Sequence, residues 1–233
     1  MARTQNPNLD ILTLAVDQLG TLTDDMVFLG GCATGLLITD PAAPPIRVTR
    51  DVDAIVQIYS QAEYYGLAEK LRARDFKEDT RDDAPICRWI NGAVVLDVMP
   101  TDPEILGFGN LWYEKALEHS LSFELSGHKS INLVTAPYFL ITKLEAFRGR
   151  GNGDYMLSHD IEDVVAVLDG RPEVISEIKD SGDDLATELS RQFKMLQEEQ
   201  RFLDAVSGHM PTDEASQARV PRIIELINLI AEL

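Results

Sequence analysis

The chain has 233 residues, with 39 acidic against 21 basic side chains and a net charge of −18. Its surface as a whole therefore repels nucleic acid and anionic membranes. Two cysteines are too few for a disulfide framework or a cysteine-built zinc site, and no apolar run approaches the ~20 residues of a membrane-spanning helix. Since the N-terminal residues contain no apolar signal segment, we expect a cytoplasmic protein without a membrane partner.

Helix-like and strand-like segments alternate from the N-terminus. Apolar residues at helical spacing predict a helix over 8–19, with Asn8 as its N-cap. The continuous apolar run Met26–Leu29 predicts a strand buried on both faces. Gly30-Gly31 ends that strand, and 33–38 is typical of a short helix.

A proline-rich loop over 40–45 cannot continue that helix and leads to a second strand. This strand is predicted to begin with the carboxylates Asp51 and Asp53 and to run to about residue 59. A helix is expected over 61–74, and a turn or an edge strand over 76–83.

Two hairpins are predicted next. Apolar runs at 86–90 and 93–99 are separated by Asn91-Gly92, a strong hairpin signal because both residues tolerate positive φ. A second hairpin is expected from 121–125 and 130–134, turning around Gly127.

The pattern becomes entirely helical after residue 136. The predicted helices are 137–148, 158–168, 185–206 and 222–233. We therefore predict an α+β protein, in which an N-terminal mixed β-sheet flanked by helices (1–135) is followed by an all-helical C-terminal domain (136–233).

The chemistry-bearing residues are three carboxylates and a glycine pair. Asp51 and Asp53 face the same side of a strand, and adjacent carboxylates repel each other unless a cation lies between them. Asp97 lies on a hairpin strand and adds a third oxygen donor of the kind that Mg²⁺ or Mn²⁺ prefers. Gly30-Gly31 before a helix allows backbone N–H groups to approach a phosphate. The combination predicts a metal–nucleotide site.

Phe28-Leu29-Gly30-Gly31 followed by Arg47-Val48-Thr49-Arg50-Asp51-Val52-Asp53 resembles the nucleotidyltransferases of the polymerase-beta-like superfamily. Within it, the chain is most similar to the AbiEii-like minimal nucleotidyltransferases, toxins of bacterial toxin–antitoxin systems. Their signature is a glycine pair after a strand and then R-x-[ST]-x-D-h-D, where h is apolar. The chain fills every place of it, and Cys32 stands where Ser or Thr is more usual.

A second block of that group, K-x-x-A…R…D-x-x-D, is matched by Lys143-Leu144-Glu145-Ala146, Arg148 and Asp160-Ile161-Glu162-Asp163. The resemblance covers roughly residues 27–169. It implies that residues 1–135 are a nucleotidyltransferase domain.

The resemblance also implies a role for each matched residue. The metal would be bound, and catalysis carried, by Asp51, Asp53 and Asp97, with Asp97 as third ligand or general base. The nucleotide would be bound by Gly30, Gly31, Arg47, Thr49 and Lys143. Lys143 would also act in catalysis, supported by Arg148, Asp160 and Asp163. The structural alternatives are a plain glycine turn, a strand-end carboxylate, a solvated arginine, a snorkelling lysine and a helix-start charge pair.

The expected activity is Mg²⁺-dependent transfer of a nucleoside monophosphate from an NTP to a hydroxyl of RNA (a tRNA 3′ end), a protein or a small molecule. Toxin activity with a cognate antitoxin as partner is part of the same expectation. An RNA or protein acceptor needs a local basic patch, and the candidates are Arg47, Arg50, Arg72, Arg74, Arg81 and Arg88, with scattered solvated arginines as the alternative. The competing hypothesis is an inactive nucleotidyltransferase-like module that binds a nucleotide or a partner. The oligomeric state stays open.

Overall fold

A computed structural model describes residues 6–125 and 129–233. They form two compact units. The first comprises the described residues of Met1–Gly35 and Arg47–Thr135, and the second comprises Leu36–Ile46 and Ala136–Leu233. Each unit is thus built from two separate pieces of the chain.

The first unit contains a seven-stranded mixed sheet in its described residues, in the order β3-β4-β5-β2-β1-β7-β6. Its strands are β1 (Met26–Leu29), β2 (Asp51–Val56), β3 (Lys77–Glu78), β4 (Arg88–Asn91), β5 (Val94–Pro100), β6 (Leu121–Leu125) and β7 (Lys129–Leu133). The pairs β2·β5 and β1·β7 are parallel, and the other pairs are antiparallel. The three central strands are therefore those that carry the glycine turn and the carboxylates.

Burial explains the central position of these strands. All four residues of β1 are buried, and β2 is buried from Ala54 to Val56. In β5, Val94, Leu96 and Val98 are fully buried. Apolar strands of this kind are stable only when both sheet faces are covered, whereas the short β3, with both residues exposed, lies at an edge.

The described residues contain eleven α-helices. In chain order they are α1 (Leu9–Leu19), α2 (Gly30–Leu37), α3 (Gln61–Arg72), α4 (Tyr113–Glu118), α5 (Ala136–Arg150), α6 (His159–Gly170), α7 (Val174–Asp180), α8 (Asp183–Gln197), α9 (Gln200–Gly208), α10 (Glu214–Gln217) and α11 (Val220–Ala231). A 3₁₀ turn, Gly20–Asp25, joins α1 to β1. No helix of the described residues is long and apolar enough to cross a membrane.

The second unit is helical and has its own core. Helix α8 packs against α11, with Leu189 and Phe193 buried on one side and Ile223, Ile227 and Ile230 on the other. The apolar face of α11 is therefore used for packing within the unit.

The piece Leu36–Ile46 is tied into the second unit by polar contacts. The backbone N–H groups of Thr39 and Asp40 both donate to the Gly170 carbonyl at 2.9 Å. The Arg219 guanidinium donates to the carboxylates of Asp40 at 2.6 Å and Asp169 at 2.7 Å. A loop far from the helices in sequence is thus part of their unit.

The predicted α+β class is confirmed at the level of a mixed sheet with a helical C-terminal part. Both predicted hairpins form, as β4–β5 and β6–β7, although the turn around Gly127 lies outside the described residues. Strand β2 ends at Val56, earlier than expected, and α2 begins directly at Gly30.

The prediction of one helix over 185–206 is wrong. The chain breaks between α8 and α9, where Glu199 has an extended backbone (φ −96°, ψ 103°) and its carboxylate accepts from the Arg201 N–H. A continuous helix would place Phe193 and Phe202, nine residues apart, on opposite sides, yet both are buried. The apolar pattern therefore changes phase at the break, and this shift is the sequence signal that the prediction of one helix overlooked.

Candidate functional site

The predicted carboxylates lie on adjacent parallel strands of the first unit. Asp51 and Asp53 alternate on β2 with the fully buried Val52, so the two carboxylates share the less buried side. In the register of β2 and β5, Asp53 is the partner of Asp97. Paired residues of neighbouring parallel strands lie about 4.8 Å apart and point to the same face. The sheet therefore brings the three acids together.

The glycine turn lies directly against Asp53. Strand β1 places Leu29 opposite Asp53, and the next residue, Gly30, has φ of +70°. A Cβ atom at Gly30 would collide with the Asp53 carboxylate. Both the backbone conformation and the close approach require glycine here, so the Gly30-Gly31 turn and the acids form one site.

Arg47 and Thr49, which are also predicted to bind the nucleotide, lie on the other side of the turn. A Cβ atom at Gly31 would lie 2.5 Å from Arg47 Nη2 and 3.3 Å from Thr49 Cβ. Thr49 is buried, and its hydroxyl donates to Asp51 Oδ1 at 2.5 Å. The structure thus brings Gly31, Arg47 and Thr49 together and uses Thr49 to orient Asp51.

Asn8 holds this arrangement in place, a role that the sequence did not reveal. Its side chain makes no cap for α1, contrary to the prediction. Asn8 Oδ1 instead accepts from the Thr49 N–H at 2.9 Å, and Asn8 Nδ2 donates to the carbonyls of Arg47 at 3.1 Å and Gly31 at 3.4 Å. The side chain is fully buried. It therefore ties the glycine turn to the Arg47–Thr49 segment.

Arg88 is the second residue whose role the sequence did not reveal. Its Nε donates to Asp97 Oδ1 at 2.8 Å and its Nη2 to Asp97 Oδ2 at 2.6 Å. The same Nη2 lies 3.3 Å from Asp51 Oδ2. The hydrogen bonds with Asp97 raise the pKa of Arg88 above its usual value despite burial. We call Asp51, Asp53, Asp97 and Arg88 the acid cluster.

The signal for Arg88 was present in the hairpin. The register pairs Asn91 with Val94, and counting outward from that pair places Arg88 opposite Asp97. Its neighbour Cys87 is buried, and burial, with the charges of Asp97 and Asp53, raises the pKa of its thiol to about 12. The thiol therefore stays protonated and is no nucleophile.

A second charged group lies in the second unit. Lys143 Nζ is 2.7 Å from Asp163 Oδ2 and 3.2 Å from Asp160 Oδ1. Arg150 donates to both Asp160 oxygens, at 2.9 and 3.0 Å. We call Lys143, Arg150, Asp160 and Asp163 the lysine cluster. Asp160 and Asp163 thus both bind Lys143, and the supporting role that the second motif block predicts for them stays a prediction.

Arg148, the remaining residue of that block, lies outside the lysine cluster. It forms an ion pair with Glu145, one turn back on α5. Its predicted supporting role stays a prediction.

Arginines of the predicted basic patch pair with neighbouring acids. Arg72 pairs with Glu69 and Glu78, and Arg81 pairs with Asp79, while Arg88 belongs to the acid cluster. At least three of the six arginines are therefore engaged in ion pairs. An acceptor-binding role for the others stays a prediction.

A cavity of about 650 Å³ lies at the other end of the strands. Its lining includes Met26 and Val56 together with Asp25, Glu63 and Lys70. Met26 pairs with Val56 where β1 starts, whereas the acids lie where β1 ends. This cavity and the acid cluster are therefore separate features of the first unit.

The donor set of the acid cluster fits a hard cation. Arg88 Nη2 already lies between oxygens of Asp97 and Asp51 and supplies positive charge there. Carboxylate oxygens are the ligands that Mg²⁺ prefers. Among the described residues, however, no group of three or more acidic, histidine or cysteine side chains is arranged to hold a metal ion. The acid cluster therefore contains oxygen donors of the type that Mg²⁺ prefers, with a guanidinium among them, and metal binding stays a prediction.

A scan of protein-family models finds no match to this chain, and a search of curated proteins finds none either. The resemblance to nucleotidyltransferases therefore depends on the motif residues and on their arrangement.

Proposed function

We propose that the protein is a Mg²⁺-dependent nucleotidyltransferase that moves a nucleoside monophosphate from an NTP to a hydroxyl group. The observation that carries this proposal is the acid pair on β2 in register with Asp97 on β5, with Gly30 in contact with Asp53. Three neighbouring carboxylates, of which Asp53 lies against a glycine turn at a helix start, offer one surface for a metal and another for phosphates.

Each residue of the site has a proposed role. Asp51 and Asp53 hold the metal, Mg²⁺ or Mn²⁺, with Thr49 orienting Asp51. When bound, the metal neutralises the triphosphate and stabilises the leaving pyrophosphate. The backbone at Gly30 and Gly31 and the Arg47 guanidinium bind phosphate oxygens. Catalysis is mainly positioning and charge stabilisation.

Asp97 is the third carboxylate of the site. We assign it to the metal or to the proton of the acceptor hydroxyl, which must leave as the new phosphodiester forms. Lys143, Arg148, Asp160 and Asp163 belong to the second unit, and their contribution to nucleotide binding is a separate proposal that rests on the second motif block.

The acceptor and the biological role follow from the resemblance. The acceptor is an RNA 3′ end such as that of tRNA, a protein side chain or a small molecule, and the chain acts as a cytoplasmic toxin with a cognate antitoxin. The excess of acidic residues disfavours broad contact with RNA. A protein or small-molecule hydroxyl therefore belongs in the first screen beside tRNA.

The test is an incubation with each α-labelled NTP, Mg²⁺ and candidate acceptors. We expect labelling of an acceptor by the wild type and a loss of about 100-fold or more in Asp51→Asn/Asp53→Asn. Asp102→Asn, which removes a carboxylate from the loop after β5, is the control and keeps the activity.

Equal labelling by the wild type and the double variant would contradict the proposal. Calorimetry separates the competing hypothesis, because Mg²⁺-dependent NTP binding without pyrophosphate release indicates an inactive nucleotide-binding module. The same double variant then loses NTP binding but has no activity to lose.

A further inference from the structure

Arg88 donates hydrogen bonds to both carboxylate oxygens of Asp97 through two different nitrogens. Two parallel N–H···O bonds to one carboxylate are among the strongest polar contacts in proteins. The second nitrogen is shared with Asp51 at 3.3 Å. Two of the three carboxylates that would receive a metal, those of Asp97 and Asp51, are therefore already bound to a cation of the chain itself.

We propose that Arg88 is the resident counter-ion of the acid cluster, and that a divalent cation binds Asp97 only by displacing its guanidinium. Arg88 then sets the metal affinity of the site. The inference rests on the proposed function, since it takes the three carboxylates as the metal site.

The backbone around Arg88 is fixed, so displacement involves the side chain. The Arg88 N–H donates to the Pro85 carbonyl and the Arg88 carbonyl accepts from the Asp79 N–H, both at 3.0 Å. The flanking Cys87 and Trp89 are buried. The guanidinium itself is partly exposed and can rotate toward solvent without disturbing the strand.

Electrostatics make the two cations mutually exclusive at Asp97. A dication bound to Asp97 Oδ2 would lie within a few ångströms of Arg88 Nη2, which is 2.6 Å from that oxygen. Like charges at such a distance repel strongly in a partly buried site. The guanidinium must therefore leave Asp97 when a metal arrives, and its loss in a variant must favour the metal.

The first experiment measures the Kd of Mn²⁺ and of Mg²⁺ by calorimetry, without nucleotide, for the wild type and Arg88→Gln. We expect about tenfold tighter metal binding in the variant, because the competing pair of charged hydrogen bonds is gone. Without metal, the variant should have a lower Tm than the wild type, and saturating Mn²⁺ should raise its Tm more.

Arg191→Gln is the matched control. Arg191 binds Glu188 through the same two nitrogens at the same distances, 2.8 and 2.6 Å, but in the second unit. The control removes the same charge and the same type of pair, so its Kd for Mn²⁺ should equal that of the wild type. An equal tightening in both variants would reveal a general effect of net charge and overturn the inference.

A double-mutant cycle locates the effect. In an Asp97→Asn background, replacing Arg88 by Gln should change the Kd for Mn²⁺ by less than about twofold, because the carboxylate for which the two cations compete is absent. An undiminished effect in that background would overturn the inference, as would unchanged or weaker metal binding in Arg88→Gln alone.

The outcome is independent of the labelling assay. Tighter metal binding in Arg88→Gln with no NTP transfer by the wild type supports the counter-ion and contradicts the proposed function. Transfer activity of the wild type, together with the same Kd for Mn²⁺ in the wild type and Arg88→Gln, supports the proposed function and contradicts the counter-ion. Absence of metal binding in both the wild type and Arg88→Gln contradicts the counter-ion.

Discussion

The acid cluster and the lysine cluster combine the same kinds of group in different proportions. In the acid cluster, one guanidinium binds two of the three carboxylates, those of Asp51 and Asp97, and the side chains of Asp51 and Arg88 are 36% and 20% exposed. In the lysine cluster, two carboxylates face two cations, and the side chains of Lys143 and Asp163 are only 8% and 1% exposed.

The two clusters differ in how far their charges are compensated by their own residues. In a buried group with balanced charges each charge has a partner of opposite sign, and removing one partner leaves an uncompensated charge. A partly exposed group with excess negative charge attracts further positive charge. The acid cluster therefore has the properties of a binding site, and the lysine cluster those of a firmly held unit.

The largest expected effect tests the lysine cluster. Lys143→Met should lower the free energy of unfolding by about 3–5 kcal/mol, because the buried Asp163 loses its cation. Urea unfolding measures it. Lys143→Met/Asp163→Asn should recover part of the loss. If Lys143→Met were as stable as the wild type, the lysine cluster would not have the structural role that distinguishes it from the acid cluster.

The second prediction concerns Asn8. Asn8→Ala should destabilise the protein by about 1–3 kcal/mol, because the buried Thr49 N–H loses its acceptor. The Km for NTP should also rise as the Gly31 turn loosens. Asn8→Asp keeps the acceptor but places a carboxylate oxygen against the carbonyls of Arg47 and Gly31 in a fully buried site, so it should destabilise the protein at least as much as Asn8→Ala. Wild-type stability of either variant would contradict this assignment.

The third prediction is a small effect on stability where the charge is unbalanced. Asp53→Asn should change the free energy of unfolding by less than about 1 kcal/mol, since the amide has nearly the shape of the carboxylate and one of three neighbouring negative charges is removed. Thermal and urea unfolding without metal provide the measurement. A loss comparable to that of Lys143→Met would show that Asp53 is as structural as Asp163.

The smallest effect is a pH dependence of the lysine cluster. Burial alone would raise the pKa of Asp160, but the hydrogen bond from Arg150 and the charges of Lys143 and Arg150 lower it below 3.8. Because the folded-state value is depressed, the stability from this group is present above pH 3.8 and is lost as the pH falls through the folded-state value. Urea unfolding between pH 6 and 3 should show a shallower loss for Asp160→Asn than for the wild type, with Asp180→Asn as the exposed control.

The sequence predicts those parts of the site that depend on short-range pattern. Asp51 and Asp53 share a side because they are two apart on a strand, and Asp97 follows from the Asn91-Gly92 hairpin. The pairing of Asp53 with Asp97 needs β2 and β5 to be neighbours, which no local pattern specifies. The order of the motifs predicted that β2 and β5 are neighbours, and the sheet pairs these two strands.

Asn8 and Arg88 were missed for different physical reasons. An asparagine before a helix is usually a cap, and only the tertiary fold shows that Asn8 bonds to a segment 41 residues away. Arg88 is one of several arginines in an acidic chain, and its residue type alone predicts a solvent-exposed position. Its role appears only when the hairpin register is followed outward to Asp97.

The interleaving of the two units has a consequence for biosynthesis. Strand β1 needs β7, which is completed only at Leu133, and Asp40 needs Arg219. The early segment Leu36–Ile46 therefore gains its contacts with Gly170 only after that residue is synthesised, and its contact with Arg219 only when most of the chain has left the ribosome. Such long-range closure slows folding, and a fragment that starts at Ala136 would lack a piece of its own unit.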